Sequence, residues 1–599
     1  MSATSQQKLD LAVVGNCEIA ALIDAQGRVV WSCLPRPDGD PVFSALLTQQ
    51  LGDAEQGVFA VELLDFVRSE QKYLRNTAVV ETTLHDSRGG AIRLTDFCPR
   101  FRTRGRTFRP MMFMRIVERI AGRPLLRIRL QPTAGYGSRV AAGTRGSHHL
   151  KFAADGIAYR VTTDASISAL AENRPVTLEE SLAFILGPDE TLEETPHVLA
   201  RSFLEQTRQY WQDWVRTLAV PFDWQEEVIR AAITLKLCTY EDTGAVLAAL
   251  TTSIPESAAS GRNWDYRFCW LRDSYFVIQA LNRLGATRTM EGYLHYIDHI
   301  VARSSGPLQP VYRLTGDPEL PECQLTSLAG FLGMGPVRVG NQAAEQIQYD
   351  VYGAVILAAS QLFFDERLTR PGDQTLFVQL EVLGERAFEV YDLPDAGPWE
   401  FRGIERAHTF SAAMSWAGCD RLGRIAVQLG RDDRAQLWRT RAAAMREQIL
   451  ARAWSERRGS FSATLDGDDL DATLLLLPEL GLVAAADPRF HATVDAIGRE
   501  LTVGDLLYRY RHPDDFGTPA AAFTVCAFWY VNALAAIGRR DAAREHFTRL
   551  LSHRNSVGLL SEDIDPASGA LWGNFPQTYS MVGIINSALR LTRSWEDAL

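Results

Sequence analysis

Two kinds of apolar spacing divide the chain. Between about residues 10 and 190 the apolar residues fall in short runs, several alternating with polar ones at a period of two. Residues 20–23 and 29–31 flank Asp24-Ala25-Gln26-Gly27, where the glycine suits a hairpin turn. Residues 79–84 and 91–95 meet across Asp86-Ser87-Arg88-Gly89-Gly90, and runs at 111–120, 125–130, 157–163 and 182–186 continue the series. In one of them Leu126, Ile128 and Leu130 alternate with Arg127 and Arg129, which predicts one buried and one solvated face. Many short strands at this spacing predict an antiparallel β-sandwich, assigned to residues 1–192.

The period then changes. Residues 196–218 read as one polar helix ending at Val220-Pro221, so 193–222 is assigned as a linker helix. From Trp224 onward an apolar helix, a glycine stop and an amphipathic helix recur, the stops being Gly285, Gly430 and Gly538. Residues 520–537 are apolar nearly all round, predicting burial on every side. After Gly538, Ala543, His546, Phe547 and Leu550 make a single stripe, and after Gly430 so do Trp438, Ala442, Met445 and Ile449. Roughly twelve helical segments can be drawn, and no fixed repeat period supports a solenoid. The expectation is a multidomain chain whose second part, residues 223–599, is an all-α (α/α)6 barrel with its loops converging on one central pocket.

Bulk composition narrows the partners. A chain of 599 residues exceeds one ordinary core. Its formal charge of −11, with arginines dispersed, argues against nucleic acid or an anionic membrane surface. Residues 1–10 lack the basic and apolar parts of a leader, and the densest apolar run is broken by Thr524 and Asn532. The eight cysteines show no CxxC pair or compact Cys/His spacing, which fits free thiols and no metal or cofactor. The expected location is cytoplasmic.

Candidate chemistry sits in four loops. Residues 261–274 hold two Trp, a Tyr and a Phe among Arg262, Arg267, Arg272, Asp265 and Asp273. Flat rings beside paired charges suit a polyhydroxylated ring, but a structural Arg–Asp pair under an aromatic lid explains the composition equally well. In Asp395 to Gly403, Glu400 stands between Trp399 and Phe401, so two rings could desolvate it; its alternative is a loop salt bridge to Arg402. The third loop runs from Tyr508 to Gly517 with Arg509, Arg511 and His512. The fourth contains Ser561-Glu562-Asp563 and then Leu571-Trp572-Gly573-Asn574. Carboxylates on separate loops, with arginines and aromatic platforms, are what glycoside hydrolysis requires. Motifs for an esterase elbow, a P-loop or a dinucleotide site are missing.

Asn263-Trp264-Asp265-Tyr266-Arg267 through Trp270-Leu271-Arg272-Asp273 resembles the signature of glycoside hydrolase family 15, the glucoamylases, glucodextranases and bacterial trehalases. The likeness extends over essentially the whole chain, and the start, Val14-Gly15-Asn16 through Phe43, resembles the sandwich preceding the barrel in the prokaryotic branch. It implies that Arg272 and Asp273 hold the terminal glucose, that Trp264 and Trp399 close the pocket, and that Arg509, rather than Arg511, lines the same subsite. It implies Glu400 as general acid and Glu562 as general base in an inverting mechanism, with the two carboxyls ~6.5–9.5 Å apart. The substrate so implied is a small α-glucoside: trehalose or a short α-glucan. Departures fall at Ser561, where Pro is usual, at Asp563, where Gln or Glu is usual, and at Phe401, which replaces a second acid. Asp563 is therefore a competitor to Glu562 as base. The alternatives are a phosphorylase or transglycosylase on the same barrel, and a catalytically inactive sugar-binding protein.

Overall fold

The computed structural model describes residues 9–48, 55–154, 156–303 and 307–598; most of the polar N-terminal stretch, through residue 8, lies outside them. As expected, antiparallel strands come first and helices follow. One sheet orders Leu11–Gly15, Ala20–Asp24, Val29–Leu34, Val58–Leu63, Leu125–Gln131 and Val176–Thr177, with Asp40–Phe43 also paired to Val29–Leu34. The other orders Ala142–Arg145, His149–Ala154, Ile157–Thr163, Leu182–Pro188, Phe113–Ala121, Ala91–Phe97, Val80–Asp86 and Phe66–Tyr73. The predicted first hairpin forms, with Gly27 at φ 76°.

The two sheets pack through Phe59 of the first against Phe113 and Phe184 of the second, at 6.2 and 5.5 Å between ring centroids. A fully buried ion pair, Arg115 to Asp96 at 2.6 and 2.9 Å, lies in the same core. It persists because Arg115 also donates to Gly27 O and lies over the Phe59 ring. The simple alternation expected at 125–130 fails at Arg129, which is buried like its neighbour Ile128. Its two terminal guanidinium nitrogens bond internally, to the Glu55 carbonyl at 2.7 Å and to Glu62 at 3.0 Å. The helix Pro196–Arg216 lies on the second sheet, with Ala200, Thr207, Trp211 and Val215 buried.

Six helices form an inner ring: Leu271–Arg283, Asp350–Ala359, Thr409–Gln428, the segment Ala472–Leu476 with Leu477–Leu480, Thr524–Ala536 and Thr578–Leu591. The last packs back on the first, which closes the ring. Outside it stand Gln225–Leu237, Thr287–Arg303, Gln374–Val390, Asp432–Ala453, Pro488–Glu500 and Arg540–Leu551. Gly285, Gly430 and Gly538 end helices with φ of 84°, 68° and 88°, the left-handed caps read from sequence. The predicted helix at 520–537 starts later, at Thr524. Ala522-Phe523 instead pairs with Asp563-Ile564, and Thr524 N–H donates to Glu562 O, so the start of the segment is used to fix the fourth loop.

The inner helices approach closely at Gly353, where an added Cβ would stand 2.1 Å from Met414 O. Gly353→Ala should therefore force Asp350–Ala359 away from Thr409–Gln428 and cost about 2 kcal/mol or more. A chemical-denaturation midpoint equal to that of the wild type would refute this contact as a constraint.

Candidate active site

The pocket opens at the N-terminal ends of the inner helices, where Trp270, His408, Phe523 and Gln577 each stand immediately before the first helical turn. The helix dipoles there favour negative charge. All seven residues singled out from sequence, Trp264, Arg272, Asp273, Trp399, Glu400, Arg509 and Glu562, line this one pocket.

Glu400 is presented by a tightly tied loop. Asp395 and Arg406 exchange backbone hydrogen bonds at 2.9 and 3.0 Å, and Asp395 Oδ2 accepts from Tyr349 N–H and the Ser411 hydroxyl. Gly397 takes φ 70° where a Cβ would strike the His408 ring at 2.5 Å. Glu400 itself is left-handed at φ 60°, a conformation that a side chain adopts only when its surroundings impose it. Its Oε1 accepts from the Trp270 indole at 2.6 Å and from Arg272 Nη2 at 3.1 Å. Gln348 Nε2 adds a longer bond to the same oxygen at 3.4 Å, so the polar setting of Glu400 comes chiefly from the first loop. Its sequence neighbours pack elsewhere: Trp399 donates to Asp471 at 2.9 Å, and Phe401 packs on His408 and Tyr510. Arg402 pairs with Glu322 at 2.7 Å, so the loop salt bridge to Glu400 does not form.

Arg272 does more than face the pocket. Its Nη1 donates to Gln348 and Asp350 at 2.7 and 3.1 Å, so one guanidinium ties Glu400 to the next inner helix. Asp273 beside it is buried; burial pushes its pKa up to about 7 against the pull of Arg272, with Glu400 and Asp350 raising it further.

Glu562 is 1% exposed and directly precedes the strand Asp563–Ile564 that pairs with Ala522-Phe523, its own carbonyl accepting from Thr524 N–H. Oε2 accepts from Asn574 N–H at 3.3 Å, while the buried Oε1 has no partner within the protein. Burial first, and the Glu256 charge second, hold its pKa well above the carboxylate range; Tyr266, Arg509 and the Asn574 N–H pull the other way. Asp563, also buried, is raised by burial and by the charges of Glu562 and Glu256. Its side chain does not line the pocket.

Sequence reasoning passed over three lining or supporting groups. Tyr266 lies within the quoted signature and lines the pocket, where burial first and then the charges of Glu562 and Glu400 raise its pKa. Glu256, in Ser253-Ile254-Pro255-Glu256, accepts from Trp264 Nε1 at 2.9 Å and Arg509 Nη2 at 2.7 Å. The only signal was an acid after proline, eight residues ahead of Trp264. Phe516 closes edge-on over Trp264 at 5.2 Å, and its loop is held by the Arg262–Asp514 ion pair. His512 stacks on Tyr510 away from the lining.

A family model described as glycosyl hydrolases family 15 matches residues 224–589, and one described as trehalase-like, N-terminal, matches residues 2–211. The chain belongs to glycosyl hydrolase family 15. It is a glycoside hydrolase by that membership. It is 32% identical to a trehalase of Mycolicibacterium smegmatis, over 98% of this chain and 92% of that one. A trehalase of Thermoplasma volcanium is 30% identical over 96% of this chain and 92% of its own length. A bacterial glucoamylase crystallised with acarbose superposes with a TM-score of 0.70 at 15% identity, covering 98% of this chain and 94% of the other, which shows the same fold. Family 15 membership thus agrees with the sandwich and closed helical ring seen here. Among the described residues no helix is long and apolar enough to cross a membrane, and no cluster of three or more His, Cys, Asp or Glu side chains is arranged to hold a metal ion. All eight cysteines are free.

The raised Asp273 pKa has a sign that stability measurements can read. A carboxyl that binds its proton more tightly when folded contributes stability present below the unfolded value near 3.8 and lost as pH rises through about 7. Asp273→Asn should therefore show a flatter melting temperature between about pH 4 and 7 than the wild type. Parallel profiles for the two proteins would refute the assignment.

Proposed function

We propose that the protein hydrolyses trehalose with inversion, Glu400 acting as general acid and Glu562 as general base. The glycosidic oxygen takes the Glu400 proton as its bond to C1 breaks. A water attacks C1 from the opposite face and gives its proton to Glu562. One proton leaves the acid and one reaches the base, so the products are two glucoses, and both groups reset by exchange with solvent. The observation that carries this reading is the pairing of Glu400, fixed by three side-chain donors, with Glu562, whose buried Oε1 retains free lone pairs, in one pocket. Arg272 and Asp273 hold hydroxyls of the reacting glucose, Trp264 and Trp399 bound the pocket, and Arg509 lines the same subsite. The substrate rests on the near full-length relatives named trehalases. The proposed parts are the sandwich at 1–192, the linker helix at 193–222 and the catalytic barrel at 223–599.

Inversion at one centre of an α,α-linked disaccharide releases one β-glucose and one α-glucose. Proton NMR of the anomers at early time should show equal amounts of each; α-glucose alone would overturn the mechanism. Glu400→Gln and Glu562→Gln should each lower turnover by about 10²–10⁴-fold while sugar binding persists. Wild-type-like turnover in either variant would remove that residue from its role. Activity that requires phosphate and survives Glu562→Gln would favour a phosphorylase.

A further inference from the structure

Two loops of the pocket are sewn together, one carrying Glu562 and the other a further acid, Glu256. Pro255 O accepts from Gly573 N–H at 2.8 Å, and the Thr251 hydroxyl donates to Asn574 Oδ1 at 2.8 Å and accepts from Phe575 N–H at 2.9 Å. Asn574 Nδ2 in turn donates to Trp264 O at 2.8 Å. Gly573, at φ 73°, leaves no room between them: an added Cβ would stand 2.6 Å from Glu562 Cβ, 2.8 Å from Glu562 Oε2 and 3.0 Å from Asp563 Oδ2. The junction therefore gathers Glu562, Asp563 and, on the adjoining loop, Glu256. All three are buried, at 1%, 1% and 4% exposure.

Glu256 alone of the three has both oxygens occupied by side-chain donors, the Trp264 indole and Arg509. Glu562 Oε1 and Asp563 Oδ2 have no partner in the protein. Arg509, which also lines the pocket, is thus bonded to Glu256 while acting on Glu562 and Asp563 only through space. A carboxylate that takes up the cation's hydrogen bonds, and adds its own charge, disfavours ionisation of its neighbours.

We infer that Glu256 is a positioning residue of the water-activating side of the pocket, orienting Trp264 and Arg509 while its charge restrains ionisation of Glu562. The inference rests on Glu562 being the base. Every charged or titratable group bearing on Glu562 has a place in it. Glu256 opposes ionisation of Glu562, Arg509 and the Tyr266 hydroxyl favour it, and Asp563 competes for the same Arg509. Arg262, paired with Asp514, acts on Asp563 through its charge, and Glu400 and Tyr266 line the same pocket. Ionised base is required for turnover, so the acid limb of the pH–rate profile reports the state of Glu562.

The test is kcat/KM for trehalose against pH in the wild type, Glu256→Gln and Glu256→Asp, with Glu562→Gln as reference. Glu256→Gln keeps an acceptor for Trp264 and removes the charge, so its acid limb should move down by about 1 pH unit or more. Glu256→Asp keeps the charge and shortens the reach, so its limb should stay within a few tenths of the wild-type position while kcat falls. Near-UV circular dichroism of both variants separates misfolding from a changed profile. If Glu256→Gln folds and its limb does not move, or if Glu256→Asp moves as far as Glu256→Gln, the inference is overturned. Should Glu562→Gln keep wild-type turnover, the base assignment itself fails. An inactive Glu562→Gln with an unmoved Glu256→Gln limb removes only the role given to Glu256.

Discussion

Closure of the inner ring is the constraint on which the rest of the molecule depends. With Thr578–Leu591 packed back on Leu271–Arg283, six helices share one axis and their N-terminal ends point to one mouth. Loops that enter those helices have no other place to meet. Residues more than a hundred positions apart in sequence, such as Trp270 and Glu400, become hydrogen-bonding partners for this reason. The tight contacts between inner helices, Gly353 against Met414 among them, keep the ring narrow enough for side chains to span the mouth.

The mouth concentrates acids, and the protein meets that cost unevenly. Arg272 divides itself among Glu400, Gln348 and Asp350, and Arg509 is claimed by Glu256. The acids therefore do not share one environment. Glu400 is held by strong donors at the rim of the cavity, whereas Glu562 and Asp563 are desolvated with oxygens left unmatched. Donors on Glu400 favour its charged form and burial of Glu562 favours its protonated form, so a bound sugar must reverse that bias before the two can take the proposed roles. The contrast arises from helix ends and loop stitching, not from the immediate neighbours of either acid.

Much of the architecture was legible because apolar period is a local property. The shift from period two to 3.6 marked the sandwich and the barrel, and Gly285, Gly430 and Gly538 marked three helix ends. Legibility stopped where long-range contacts overrule local preference. Arg129 reads as solvent-facing, yet Glu55 and Glu62 supply enough acceptors to bury it. Residues 520–523 read as helix, yet Ala522-Phe523 pairs with Asp563-Ile564, just after Glu562. In the pocket, the candidate side chains were recognisable from their loops, but the partners of each were not. Trp399 and Phe401 were expected to crowd Glu400, and the decisive neighbours are Trp270 and Arg272, far away in sequence. Glu256 carried no pattern of its own, since a single acid after a proline has many uses.

The sandwich reaches into this arrangement. The Trp31 indole donates to Leu250 O at 2.9 Å, just ahead of the Glu256 loop. Arg267, buried and paired with Asp265, donates to Gly39 O at 2.6 Å and lies near the rings of Trp31 and Tyr136. Removing the sandwich would open to water a guanidinium and a carboxylate that stand within a few residues of Trp264 and Trp270. The barrel is consequently not a cassette that can be moved to another scaffold. Exchange of domains within such a family must preserve this seam or rebuild it, and the two halves of the chain are bound to change together over evolutionary time.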